Sequence, residues 1–224
     1  IAGMTGTHAR QMGPGQKGES YVAGVDVAGE HDIDKTGILA AGASRQDSTV
    51  ITIARVEMPP QASQLRQPQP RLKVVEHYSW TSTPHSQLFQ QMLNALKAWS
   101  PGRICVDATG IGQPVASFLR EQLGSLRVIP FTFTQRSKSD MGFDLLSLVN
   151  SGRLQIYRQD GSKEYQELMH QLERARADYR PNQTVNYYVD QAEGHDDFLM
   201  SLALTAQAAK DYRPRPFRQA QRTE

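Results

Sequence analysis

The chain has 224 residues, enough for one large domain with a sizeable core. Charged residues make up 21% and the hydrophobic set 38%, and no apolar run approaches the ~20 residues of a membrane span, which excludes a membrane-embedded or globally disordered chain. A formal net charge of +2 is too small to argue for nucleic acid, so any basic footprint has to be local.

Residues 1–19 are rich in Gly, Gln, Thr and His, lack an apolar period, and are expected to form a linker or disordered lead-in. Their Gly13–Ser20 segment has the outline of a phosphate loop, but Glu19 stands where the lysine belongs and no strand precedes it. There is no secretory signal, and an opening on Ile1 suggests a fragment of a longer chain. The single cysteine, Cys105, excludes an internal disulfide and a cysteine-built zinc site, pointing to a reducing compartment.

Tyr21 to Gly29 is a short apolar run that predicts a buried central strand carrying Asp26 near its end. After a polar turn, Thr36–Ser44 and Thr49–Glu57 predict two strands joined through the Arg45–Ser48 turn. Met58–Pro70 is a Pro- and Gln-rich loop, and Arg71–Trp80 is extended again. From Thr83 the period becomes helical, with Leu88, Met92, Leu96 and Trp99 on one face and a stop at Ser100-Pro101-Gly102. Arg103–Asp107 is a second apolar strand ending in a carboxylate, followed by a glycine turn and a helix over Pro114–Leu123. A strand is expected over Arg127–Phe133, a helix over Ser139–Ser151, a short strand over Arg153–Tyr157 and a charged amphipathic helix over Ser162–Ala177. Thr184–Val189 predicts an edge strand, and Phe198–Ala206, apolar on nearly every side, a buried helix. Antiparallel strands followed by alternating helix and strand predict an α/β fold with a mixed central sheet and helices on both faces.

Three acidic positions share an unusual setting. Asp26 and Asp107 each end an apolar strand, and Asp196-Asp197 open an apolar helix. Singly, each has an ordinary structural role, as a turn former or a helix cap. Together, carboxylates converging at one sheet end would repel unless a divalent cation sat between them, and oxygen ligands favour a hard ion such as Mg²⁺ or Mn²⁺. Two such ions about 3.5–4 Å apart suit phosphodiester cleavage.

Gly24-Val25-Asp26-Val27-Ala28-Gly29, Val106–Gly112, and Gly194–Asp197 with Ser201–Leu204 resemble, in order and spacing, the nuclease domain of the large terminase subunit of tailed phages over residues 20–210. The resemblance implies a ribonuclease H-like fold related to junction resolvases, with the Asp26 and Asp107 strands side by side. It implies a metal-dependent endonuclease that cuts concatemeric double-stranded phage DNA with low sequence specificity, using a metal-activated water. Asp26, Asp107 and Asp197 would be catalytic and hold Mg²⁺ or Mn²⁺, as two ions, with Asp196 a further ligand. Helical phase does not choose between Asp196 and Asp197; the resolvase-like pattern favours Asp197. Many relatives carry an acid where this chain has Met200, which thins the second metal site. Asp34 resembles an accessory family position, with Asp32 as the alternative, and His195 is placed to assist proton transfer or to make a structural hydrogen bond.

The family also carries a basic residue and an amphipathic helix before a Gly-Arg-Leu strand. Arg136, Lys138 and Arg153 fit as phosphate contacts or as solubilising charge. Residues 211–224 form a basic tail in which Tyr212 and Phe217 among arginines hint at base stacking. The implied partners are double-stranded DNA, an N-terminal packaging ATPase domain, the small terminase subunit and the portal, in the host cytoplasm and with no membrane. No ATPase activity is expected of the chain itself. The alternatives are a junction resolvase or transposase-like nuclease, and a non-catalytic nucleic-acid or assembly module on the same fold.

Overall fold

A computed structural model of the chain describes residues 2–28, 48–58, 69–190 and 192–214. Its centre is a six-stranded sheet in the order β5-β4-β1-β2-β3-β6. β1 (Tyr21–Asp26), β2 (Ser48–Glu57) and β3 (Arg71–Thr81) pair antiparallel in succession. β4 (Arg103–Asp107) joins β1 in parallel, β5 (Val128–Phe131) joins β4, and β6 (Leu154–Ile156) joins β3. All six residues of β1 are buried, because a strand covered on both faces needs apolar residues at every position. The apolar run therefore marks the middle of the sheet.

Alternation sends Val22, Val50 and Leu72 into one core and Ala23, Val25 and Ile51 into the other. The second core is closed by α1 (His85–Trp99) and α2 (Gly112–Leu123), with Leu88, Met92, Leu96 and Trp99 buried as the helical spacing predicts. α1 stops where Ser100 turns left-handed (φ 46°) and donates its N–H to the Leu96 carbonyl. The first core is closed by α3 (Gln135–Asn150), α4 (Lys163–Arg174) and α5 (Asp197–Ala209). Every residue of α5 except Gln207 is buried.

α5 lies across β1 at Gly24. A Cβ there would stand 2.2 Å from the Ser201 carbonyl oxygen and 2.3 Å from the Thr205 nitrogen, so only glycine admits the helix at this depth. Thr52 on β2 holds it there: its hydroxyl bonds that of Ser201 (2.6 Å) and its carbonyl accepts from the Thr205 hydroxyl (3.2 Å).

Several expectations require correction. The amphipathic helix ends at Arg174 rather than Ala177, and Arg176–Tyr179 forms β7, paired antiparallel with β8 (Val185–Tyr188) in a separate two-stranded sheet. The predicted edge strand is thus not part of the central sheet. β7 is exposed throughout, so no apolar period marks it, and its partner lies across the turn at Gln183 (φ 62°). α3 starts earlier than predicted, at Gln135, because Thr134 and Ser137 form a capping box. The predicted strand Thr36–Ser44 and the Arg45–Gln46–Asp47 part of its turn lie outside the described residues.

Where a linker or disordered lead-in was expected, residues 2–19 are held against the domain. Met4 is buried, Thr5 bridges Ile156, and the Gly6 N–H reaches the Ile156 carbonyl. Arg10 pairs with Glu76 and Glu164 (3.0 Å) and donates to the His77 carbonyl (2.9 Å). Glu19 of the loop-like segment pairs with Arg55 (2.6 Å) and accepts from the Tyr21 hydroxyl. At the other end, Tyr212 packs under Gly102 and against the first core rather than standing free to stack on bases. Among the described residues no helix is long and apolar enough to cross a membrane.

Candidate functional site

Asp26 is the last residue of β1, and parallel pairing with β4 brings Asp107 to the same sheet end. α5, seated at Gly24, begins with Asp197 above them. The three carboxyl groups come from separate elements and all are nearly buried: Asp26 and Asp107 are 8% exposed and Asp197 9%. Burial pushes the Asp26 carboxyl well above the ordinary range, and the negative charges of Asp197, Asp107 and Asp196 push it further, with Lys138 partly offsetting them. Burial also raises Asp107, against hydrogen bonds from Thr109. These acids are close enough to repel.

Local bonds orient two of them. The Thr109 N–H donates to Asp107 Oδ1 (2.8 Å), and the Ser48 N–H donates to Asp197 Oδ2 (2.8 Å). The turn after Asp107 is tight because α2 starts on Gly112, where a Cβ would stand 2.3 Å from the Asp107 carbonyl oxygen. An Asp at a helix start ordinarily serves as a cap. Here the N-cap Asp196 makes no side-chain capping bond; Gln171 of α4 does that work, its Oε1 accepting from the Phe198 and Leu199 N–H groups (2.9 and 3.0 Å).

Lys138 on α3 stands beside the acids, its Nζ 4.0 Å from Asp196 Oδ2 and over the Tyr187 ring. A cleft of about 280 Å³ opens among Asp26, Lys138, Asp196, Asp197 and Met200. A larger groove of about 650 Å³ runs from Asp197 and His195 past Ser48 along α4. His195 thus borders both Asp196 and Asp197. Of the expected phosphate contacts, only Lys138 is next to the acids. Arg136 is exposed and near Asp140 (3.7 Å). Arg153 lies at the opposite sheet end, its carbonyl accepting from Leu72 at the start of β3, beside Lys210 and Arg213. Asp34 and Asp32 fall outside the described residues.

An all-oxygen set of buried, mutually repelling carboxylates is the donor chemistry of a hard divalent cation. Among the described residues no three His, Cys, Asp or Glu side chains are already gathered tightly enough to enclose an ion. The acids converge without being drawn around one centre. Four further residues matter that the sequence reading passes over: Ser48 and Thr109 as backbone donors, Gln171 as cap, and Tyr187 beneath Lys138. Only Thr109 had a signal, in the glycine turn.

The sequence profile described as the terminase RNaseH-like domain matches residues 24–208. A search of curated proteins found no match. Among solved structures, the chain is similar to the large terminase nuclease of thermophilic phage G20c with bound magnesium (14% identity, TM-score 0.63, 92% of this chain and 93% of that one). It is also similar to the large terminase nuclease domain of Thermus phage P74-26 (13% identity, TM-score 0.57, 90% of each chain). The large terminase of phage HK97 aligns over 92% of this chain but 41% of its own length (13% identity, TM-score 0.58).

Proposed function

Because the chain belongs to the terminase RNaseH-like domain family, we propose that it is a divalent-metal-dependent DNA endonuclease that cuts concatemeric double-stranded phage DNA during genome packaging. The observation that carries this is the meeting of Asp26, Asp107 and Asp197 at one sheet end, nearly buried and repelling. The three carboxylates would hold Mg²⁺ or Mn²⁺, with Asp196 at the edge of the set. The bound cation supplies Lewis acidity that lowers the pKa of water and offsets charge on the phosphate. The G20c relative, crystallised with magnesium and with cobalt, supports a divalent ion here. Met200 leaves the second of two ions with fewer oxygen ligands.

The residues of the chain have separable tasks. Thr109 and Ser48 hold the Asp107 and Asp197 carboxylates in orientation through backbone N–H bonds. Lys138 provides a positive charge where a phosphate would enter, which would position the backbone without reading bases and so give low sequence specificity. His195, which lines the larger groove beside Asp197, is placed to pass a proton to solvent. Within a full-length subunit, ATP hydrolysis would fall to a preceding motor domain; the HK97 large terminase, matched over 41% of its length, is long enough to hold further domains. Small subunit and portal would be further partners, in the host cytoplasm.

Nicking of supercoiled plasmid tests the assignment. Cutting should require Mn²⁺ or Mg²⁺, and should vanish in Asp107→Ala while the circular dichroism spectrum is kept. Cutting that survives Asp107→Ala, or proceeds in EDTA, would overturn it.

A further inference from the structure

We propose that Gln171 is a positioning residue for the metal site: from α4 it caps α5 from outside and thereby fixes where the Asp197 carboxylate stands. The inference rests on the nuclease assignment above. A helix start leaves backbone N–H groups without intrahelical partners, and a helix buried on nearly every side cannot give them to water. The Gln171 side chain, 1% exposed, takes two of them, from Phe198 and Leu199, the residues directly after Asp197.

The amide is itself held. Its Nε2 donates to Glu167 Oε1 (3.1 Å), one turn earlier on α4, which makes Oε1 the atom facing α5. α4 is anchored in turn by buried Tyr165 and Leu168 and by the Glu164–Arg10 pair (3.0 Å). Asp197 therefore stands on a helix end that is fixed to a neighbouring helix rather than capped by its own side chains.

The residue type fits the place. An aspartate or glutamate is the commoner partner for a helix start, and favours the positive dipole end. At this position it would add a negative charge beside acids that already repel. Glutamine satisfies the same donors with no charge, and a methionine of similar length satisfies none.

The test uses wild type, Gln171→Met and Gln171→Glu. Mn²⁺ binding is followed by the electron paramagnetic resonance of the free ion, backbone amide exchange is measured at Phe198 and Leu199, and plasmid nicking is measured against Mn²⁺ concentration. In Gln171→Met, both amides should exchange at least about tenfold faster and the Mn²⁺ Kd should rise about tenfold, the scale of a lost cap. Nicking should fall at limiting Mn²⁺ and recover at high Mn²⁺. Gln171→Glu keeps the acceptor, so both amides should stay within about threefold of wild-type exchange, while its added charge and the lost Nε2 bond to Glu167 act on Mn²⁺ affinity separately from the cap. Wild-type Mn²⁺ affinity in Gln171→Met, or Phe198 and Leu199 amides in Gln171→Glu that exchange as fast as in Gln171→Met, would overturn the proposal. If Gln171→Met does not fold, Gln171→Glu decides alone through the amides: Phe198 and Leu199 kept within about threefold of wild-type exchange support the cap, and exchange about tenfold faster refutes it. A wild-type protein that neither binds Mn²⁺ nor cuts would count against the nuclease assignment instead.

Discussion

Gly24→Ala should detach the third carboxylate from the other two. The added Cβ would meet the Ser201 carbonyl oxygen at 2.2 Å, where ordinary contact begins near 3.4 Å, so α5 must retreat by about 1.2 Å. The obstructing atoms include backbone oxygen and nitrogen, and no rotamer change relieves them. The retreat strains or breaks the Thr52 bonds to Ser201 and Thr205, each worth about 1 kcal/mol, on top of about 1–3 kcal/mol for overpacking. Urea unfolding followed by circular dichroism should give a loss of about 3–5 kcal/mol with the slope unchanged. Because Asp197 rides on α5, a displacement of this size should cost about 100-fold in nicking even where the protein is fully folded. A variant with wild-type midpoint and wild-type cutting would refute the claim that Gly24 sets the height of the helix.

The raised Asp26 carboxyl has a stability signature. Below the unfolded pKa the group is protonated in both states. As pH rises toward the higher folded pKa, the unfolded state releases its proton first and stability falls. Thermal melts without metal should therefore decline as pH rises above the ordinary carboxylate range, and Asp26→Asn should raise the melting temperature at neutral pH by about 2–6 °C. The decline should persist in weakened form, because Asp107 is shifted the same way. Arg10→Met should destabilise by about 3 kcal/mol in urea, since it leaves the 4%-exposed Glu76 without its cation. Cys105 is buried with its thiol pushed up to about 12, so a thiol reagent at pH 8 should react only after unfolding.

The parts of the site legible in the sequence are those where burial left a mark. β1 and β4 stand out because strands covered on both faces are apolar throughout, so the Asp that ends each is conspicuous. α5 stands out likewise, with its acids at the first turn. Their convergence is implied by the family resemblance and not legible in the residues themselves; it depends on parallel pairing of residues 81 positions apart, as Val25 with Val106, and on the close approach at Gly24. Gln171 looks like one more polar residue on a charged helix, because its partners are backbone groups 27 and 28 residues away. Arg10 is inconspicuous within residues 1–19 for the same reason, its acidic partners lying 66 and 154 residues on. Arg153 shows the reverse. It matches a family pattern in order, yet it directly precedes β6 and so falls at the end of the sheet away from the acids.

The central claim is that one cation set answers the charge gathered by Asp26, Asp107 and Asp197. Anomalous diffraction from crystals soaked in Mn²⁺ tests it most directly. Peaks bounded by those three carboxylates, lost in Asp26→Asn, are the predicted result. Mn²⁺ bound only elsewhere, or Asp26 paired to a basic side chain with no ion near it, would contradict the account.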